Sequence, residues 1–190
     1  MAIFMRSANS AGAAATAPGD WPAASRIERS TAGATLVVLA HPHCPCTRAT
    51  ISELAKLMAR LDGKLMAYVI FTKPDGVEED WDKTDTWASS AKIPGVRVIS
   101  DELGEETQLF GARTSGQAML FDQTGTLLFS GGITVGRGLE GDSTGAAAIF
   151  SLVSGETAPV RVTSTFGCPL FANDPYCHRK KESENARPTP

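Results

Sequence analysis

The stretch that decides the fold is TLVVLAHPHCPC, residues 35–46. Its first half, residues 35–40, is apolar and rich in β-branched side chains, which predicts a short buried strand. Residues 47–61 carry apolar side chains at helical spacing, which predicts an amphipathic helix. The cysteines Cys44 and Cys46 therefore fall at the junction between a strand and a helix.

The rest of the chain alternates between strand and helix patterns. We predict strands at 64–71, 95–100, 117–122 and 126–130, the last two forming a hairpin, and helices at 75–92, 102–110 and 143–154. Alternating strands and helices that end in a hairpin predict a mixed central β-sheet with helices on both faces. The predicted fold class is therefore an α/β sandwich.

The predicted body is flanked by segments of different composition. Residues 1–33 are rich in Ala, Ser, Gly and Pro without a regular period, so we expect a loosely ordered N-terminal segment held by Trp21 and Ile27. We divide the remainder into a domain at 34–155, a C-terminal extension at 156–177 that packs on the domain, and a disordered tail at 178–190.

Composition argues against several classes of function. The chain has 190 residues, 42% of them hydrophobic and 21% charged, which is enough apolar surface for the core of one domain. The net charge of −3 argues against a nucleic-acid-binding protein, because such proteins carry a basic surplus. The longest apolar run, residues 65–71, is far shorter than the roughly 20 residues of a membrane helix. The first residues also lack the apolar stretch of a secretory signal.

The position of the two cysteines predicts a reactive thiol. A sulfur at a helix N-terminus faces unpaired N–H groups and the positive end of the helix dipole, and both favour the thiolate. Pro45 suits the first turn of a helix because it fixes φ and lacks an N–H donor. We expect positive charge beside the sulfurs from His41, His43 and Arg48.

Residues 34–155 resemble the thioredoxin-like superfamily, in which a Cys-X-Pro-Cys motif lies at the same strand–helix junction. The local pattern HPHCPC, residues 41–46, is similar to the TlpA-like and peroxiredoxin-like branch, and in particular to RedB-type proteins. The resemblance implies a thiol–disulfide oxidoreductase that requires no cofactor and acts on a protein or small-molecule thiol or disulfide. It implies that Cys44 is the nucleophile and Cys46 the resolving cysteine, and it favours the cell envelope or periplasm as the compartment.

Two departures from the family pattern matter. The motif is one residue short, and Thr114, Ser115 and Gly116 stand before the hairpin, where the family has a cis-proline beside the sulfurs. In the family that proline guides substrates and keeps metals away from the dithiol. We expect these three residues to border the substrate, and their departure from the pattern opens the site to metal.

Several readings of the cysteines therefore stay open. A metal site for Cu, Zn or an Fe–S cluster would use Cys44, Cys46, His43 and Cys168, because thiolate and imidazole suit these metals. The late cysteines, Cys168 and Cys177, either act as a resolving or second redox pair or form a bridge that pins the extension. The remaining alternatives are an inert cysteine pair and a scaffold that only binds a partner.

A glycine-rich segment follows the predicted hairpin. Residues 131–138 contain four glycines but lack the ending of a phosphate-binding loop. We expect this loop to border the thiol site, with Arg137 reaching a carboxylate or a thiolate.

Overall fold

The computed structural model describes residues 10–171 of the chain, and its centre is a β-sheet. The described residues form strands β1 (Ala34–Ala40), β2 (Leu65–Lys73), β3 (Val96–Glu102), β4 (Gln117–Phe121) and β5 (Leu127–Gly131). They also form helices α1 (Pro45–Leu61), α2 (Asp85–Ser90), α3 (Glu105–Leu109) and α4 (Thr144–Val153). The chain is thus an α/β protein, as predicted.

The five strands form one mixed sheet in the order β3-β2-β1-β4-β5. β1 pairs in parallel with β2, and β2 in parallel with β3, while β4 runs antiparallel to β1 and forms a hairpin with β5. Leu36 to Ala40 of β1 are fully buried, because this strand lies at the middle of the sheet. The carboxyl end of this central strand carries the chain into residues 41–46.

One face of the sheet is covered by α1 and α4. Leu54 and Leu57 of α1 and Ile149 of α4 pack against Leu36 and Val38 of β1, and all five side chains are almost fully buried. α1 ends where Asp62 adopts a left-handed conformation and its backbone N–H bonds the carbonyl of Met58.

We predicted helices on both faces of the sheet, but the face opposite α1 and α4 is covered mainly by irregular chain. Its cluster contains Phe110, which follows the short α3, together with Ile27 and Trp21 of the N-terminal segment. Residues 10–33 form no helix but are fixed by backbone hydrogen bonds, such as that from Trp21 to the carbonyl of Gly125 at 2.7 Å. An irregular segment therefore covers much of this face.

The prediction of a helix over residues 75–92 is wrong for most of that stretch. Only α2 is helical, and tight turns precede it, such as that closed by the Lys83 N–H on the Asp80 carbonyl at 2.8 Å. The aspartates and the Pro74-Asp75-Gly76 sequence favour turns, because their side chains and φ values compete with helix formation. None of the helices in residues 10–171 has the length and apolar character needed to cross a membrane.

Candidate active site

Cys44 occupies the N-cap position of α1, directly after the loop that follows β1. Its φ and ψ are −78° and 122°, and Pro45 stands at the first helical position. Its backbone N–H bonds the carbonyl of His41 at 3.1 Å, and its own carbonyl accepts from Thr47 at 3.0 Å. The side chain is only 2% exposed, and no disulfide joins it to Cys46.

The C-terminal extension brings a third cysteine to this site. The backbone N–H of Cys168 donates to Sγ of Cys44 at 3.3 Å, although the two residues are 124 positions apart. The carbonyl of Cys168 accepts from the N–H of Ser115 at 2.8 Å, and Leu170 N–H donates to the carbonyl of Arg113 at 2.9 Å. The extension thus lies antiparallel to the loop before β4 and over the thiol.

Gly167 allows this close approach. A Cβ atom at this position would lie 2.0 Å from the carbonyl oxygen of Ser115, well inside van der Waals contact. Leu170, on the other side of Cys168, is 3% exposed and belongs to the core cluster that contains Phe110 and Ile27. The cysteine is therefore held between a residue that must be small and a buried apolar anchor.

The surroundings of Cys44 favour its thiolate. The Cys168 thiol, and then the Cys46 thiol, donate to the sulfur and hold the pKa of Cys44 well below its usual range. The backbone N–H groups of Cys168 and Cys46 act in the same direction, while burial opposes them. The donors outweigh the desolvation because a buried charge gains more from each hydrogen bond than an exposed one.

Cys46 is affected in the opposite sense. Its hydrogen bond to Cys44, its burial and the negative charge on Cys44 all raise the pKa of the Cys46 thiol. The charge of Arg137 and the backbone of Gly138 oppose this rise. The two cysteines thus differ in role: Cys44 carries the charge and Cys46 keeps its proton. The glycine-rich loop borders the site through Arg137, as the sequence predicts.

The two histidines of the motif point toward Trp81. His41 is buried, and its Nδ1 accepts from the backbone N–H of His43 at 3.2 Å. His43 is exposed, and its Nε2 lies 2.8 Å from the carbonyl of Trp81. The Trp81 ring lies 5.3 Å from the His41 ring and 4.6 Å from the His43 ring, between centroids. No spacing in the sequence connects Trp81 with the histidines, so this contact was not predicted.

Arg48 lies on the exposed side of α1. Its guanidinium makes an ion pair with Asp85 at 2.5 Å, and its side chain is 75% exposed. Arg137, on the glycine-rich loop, supplies a positive charge that acts on Cys46. A role for Arg48 and His43 in holding the thiolate stays a prediction.

Residues Thr114, Ser115 and Gly116 lie beside the motif, where they were expected. The Ser115 hydroxyl accepts from the backbone N–H of His41 at 2.9 Å and lies 3.0 Å from the Thr47 hydroxyl. The Gly116 N–H bonds the carbonyl of Leu39 at 2.8 Å. These contacts join the loop before β4 to both ends of the motif.

A cavity of about 580 Å³ opens beside Cys44. It is lined by residues 42–45, by Arg48 and by residues 84–86. The exposed ion pair of Arg48 and Asp85 lies in its wall.

The metal-binding interpretation stays a prediction. Within residues 10–171 no group of three or more His, Cys, Asp or Glu side chains is placed to hold a metal ion. His43, one of the predicted ligands, contacts Trp81. Cys177 lies outside the described residues, so its pairing with Cys168 stays a prediction.

Comparison with known proteins shows similarity of fold alone. No family model matches the chain, and no curated protein matches it. The structure of a hypothetical protein from Sinorhizobium meliloti superposes with a TM-score of 0.62 at 16% identity, over 86% of this chain and 97% of that one. An uncharacterized conserved protein from Geobacillus kaustophilus gives 0.60 at 18% identity, over 85% and 91% of the two chains. These two proteins therefore share their overall architecture with this chain.

Proposed function

We propose that this protein is a thiol–disulfide oxidoreductase of the thioredoxin-like superfamily, with Cys44 as its nucleophile. The observation that carries the proposal is the placement of the Cys44 sulfur at the start of α1, 3.3 Å from the N–H of Cys168. Donors around a sulfur stabilise the thiolate, which is the nucleophilic form of cysteine. Support also comes from the order of strands and helices, which is compatible with that of the thioredoxin-like superfamily.

The proposed reaction is an exchange of disulfides. The Cys44 thiolate attacks one sulfur of a partner disulfide, so that a Cys44–partner bond forms, the partner's S–S bond breaks and one partner thiolate leaves. A second thiol of the protein then attacks Cys44 Sγ, which releases the other partner thiolate and transfers the proton to it. The protein is oxidised by two electrons and the partner reduced by two. Cys46 and Cys168 are both close enough to Cys44 to be that second thiol.

The partner is a protein or small-molecule thiol or disulfide. The cavity of about 580 Å³ beside Cys44 has room for a small disulfide. Its rim carries both charges of the pair formed by Arg48 and Asp85, which suits a zwitterionic molecule or a polar peptide.

A second candidate function is metal binding by the cysteines. The observation that favours it is that the Cys46 and Cys168 thiols both donate to Cys44 Sγ, since soft thiolate ligands suit Cu(I) and Zn. A metal would have to draw these thiols into a ligand geometry that residues 10–171 do not hold in this structure. Titration with Cu(I) or Zn²⁺ tests it: stoichiometric binding that is lost in both Cys46→Ser and Cys168→Ser supports a metal site. Binding that is unaffected by these changes rejects it.

Reduction of insulin disulfides by a dithiol, catalysed by this protein, tests the redox proposal. We expect catalysis by the wild-type protein, and none by Cys44→Ser with its fold retained by circular dichroism. Both proposed steps form a bond to the Cys44 sulfur, so its replacement by an oxygen removes the reaction. Absence of catalysis in the wild type, toward insulin and toward glutathione disulfide alike, would refute the proposal.

A further inference from the structure

The placement of Cys168 raises a question about which thiol completes the exchange. The family motif assigns this step to the second cysteine of the pair, Cys46. In this chain a third sulfur contacts Cys44, and it comes from the opposite end of the sequence.

We infer that Cys168, and not Cys46, resolves the mixed disulfide on Cys44, so that the oxidised protein carries a Cys44–Cys168 bond. The inference rests on the proposed function and names the second member of its redox pair. Three features of the structure carry it: the geometry of the motif, the attachment of the extension, and the difference in exposure between the sulfurs.

The geometry of the motif disfavours a Cys44–Cys46 bond. Only one residue separates the two cysteines, so their disulfide would close a small and strained ring. That residue is Pro45, whose fixed φ removes the freedom that would relieve the strain. The hydrogen bond from Thr47 N–H to the Cys44 carbonyl at 3.0 Å also holds this turn closed. A bond between the two sulfurs would distort the first turn of α1.

The attachment of the extension favours a Cys44–Cys168 bond. Cys168 lies in an extended segment, with hydrogen bonds on both sides from Ser115 to its carbonyl and from Leu170 to Arg113. Its backbone N–H already contacts Cys44 Sγ, and its thiol donates to the same atom. A disulfide here joins two separate segments of the chain and closes no small ring within the first turn of α1.

The partial exposure of Cys168 allows an external thiol to reduce the Cys44–Cys168 disulfide. Cys44 is 2% and Cys46 8% exposed, whereas Cys168 is partly exposed. An external thiolate therefore reaches the Cys168 sulfur first, forms a bond with it, and releases Cys44 as a thiolate. Exchange is faster when the leaving thiolate is well stabilised, and the donors around Cys44 supply that stabilisation. A second external thiol then completes the reduction of Cys168 and leaves as part of an external disulfide.

The test uses glutathione disulfide as oxidant on the full chain and on Cys46→Ser and Cys168→Ser. Samples are quenched in acid and alkylated. Mass spectrometry then gives the mass of the intact protein and identifies the modified and disulfide-linked peptides. We expect a Cys44–Cys168 linked peptide in the wild type and in Cys46→Ser. In Cys168→Ser we expect a glutathione adduct to accumulate on Cys44. This adduct should be lost more than tenfold more slowly than the corresponding adduct of the wild-type protein. A role of Cys168 that is only structural would not produce this adduct.

Other outcomes are equally decisive. Clearance of the adduct at the wild-type rate in Cys168→Ser, or a wild-type peptide with an internal Cys44–Cys46 disulfide, would overturn the inference while the proposed function stands. A Cys168–Cys177 linked peptide as the oxidised product would overturn it too, and Cys177→Ser shows whether this bond competes. A Cys44 that forms neither adduct nor disulfide in any variant would overturn both.

Discussion

Replacing Gly167 by alanine tests the contact between the extension and Cys44. The added Cβ would lie 2.0 Å from the Ser115 carbonyl oxygen, whereas ordinary contacts begin at 3.4 Å. The segment must therefore move by more than an ångström, which takes the 3.3 Å contact between Cys168 N and Cys44 Sγ past hydrogen-bond distance. We expect the Cys44 thiolate to become less stable and its sulfur more exposed.

The magnitude follows from the donors that are lost. A hydrogen bond to a charged group contributes about 1.5–3 kcal/mol, so each lost donor lowers the ratio of thiolate to thiol roughly ten- to hundredfold at fixed pH. Overpacking at this site costs about 1–3 kcal/mol of stability in addition. Iodoacetamide alkylation of Cys44, followed by mass spectrometry over a range of pH, measures the shift of the pKa toward higher pH.

The matched control is Gly19→Ala. Gly19 is exposed, has no atom within 4 Å of the added Cβ, and has no left-handed backbone conformation. We expect its alkylation profile to match that of the wild type. An unchanged pH profile in Gly167→Ala, with the fold intact, would refute the argument that the extension holds the thiolate.

Three further changes have defined outcomes. Because folding lowers the pKa of Cys44, its thiolate contributes stability that is fully present above the unfolded thiol pKa of about 8.5 and is lost as pH falls toward the folded pKa. The difference in urea unfolding free energy between wild type and Cys44→Ser should therefore shrink on acidification, and a constant difference would contradict the assigned environment. Arg137→Gln should slow the alkylation of Cys46 and Arg48→Gln should not, since Arg137 alone of the two acts on this thiol; equal effects would count against that contact. Leu54→Ala, at a fully buried position, should cost about 2–5 kcal/mol in urea denaturation, and a loss below about 1 kcal/mol would place Leu54 outside the core.

The junction that carries Cys44 was predictable from local sequence. β1 and α1 follow from short-range patterns, because a β-branched apolar run and a helical apolar period each determine structure within a few residues. The placement of Thr114 to Gly116 beside the motif came instead from the family resemblance.

The position of Cys168 was open because it depends on contacts between distant parts of the chain. Its neighbour Gly167 packs against the Ser115 carbonyl, and Leu170 packs in the core cluster that contains Phe110. No spacing in the sequence encodes either contact. The exposed ion pair of Arg48 with Asp85 also joins residues that are distant in the sequence, so local patterns do not predict it. The helix predicted over residues 75–92 failed because aspartates and a Pro-Asp-Gly turn outweighed the helical pattern.

Equilibration of the wild-type protein and Cys44→Ser in dithiothreitol buffers of graded redox ratio measures whether Cys44 forms a disulfide reversibly. Whole-chain mass after acid quenching reports the oxidised fraction at each ratio. We expect a single two-electron transition in the wild type, with loss of two hydrogens per chain, and no transition in Cys44→Ser. A wild-type protein that keeps Cys44 as a thiol in the most oxidising buffer would contradict this expectation.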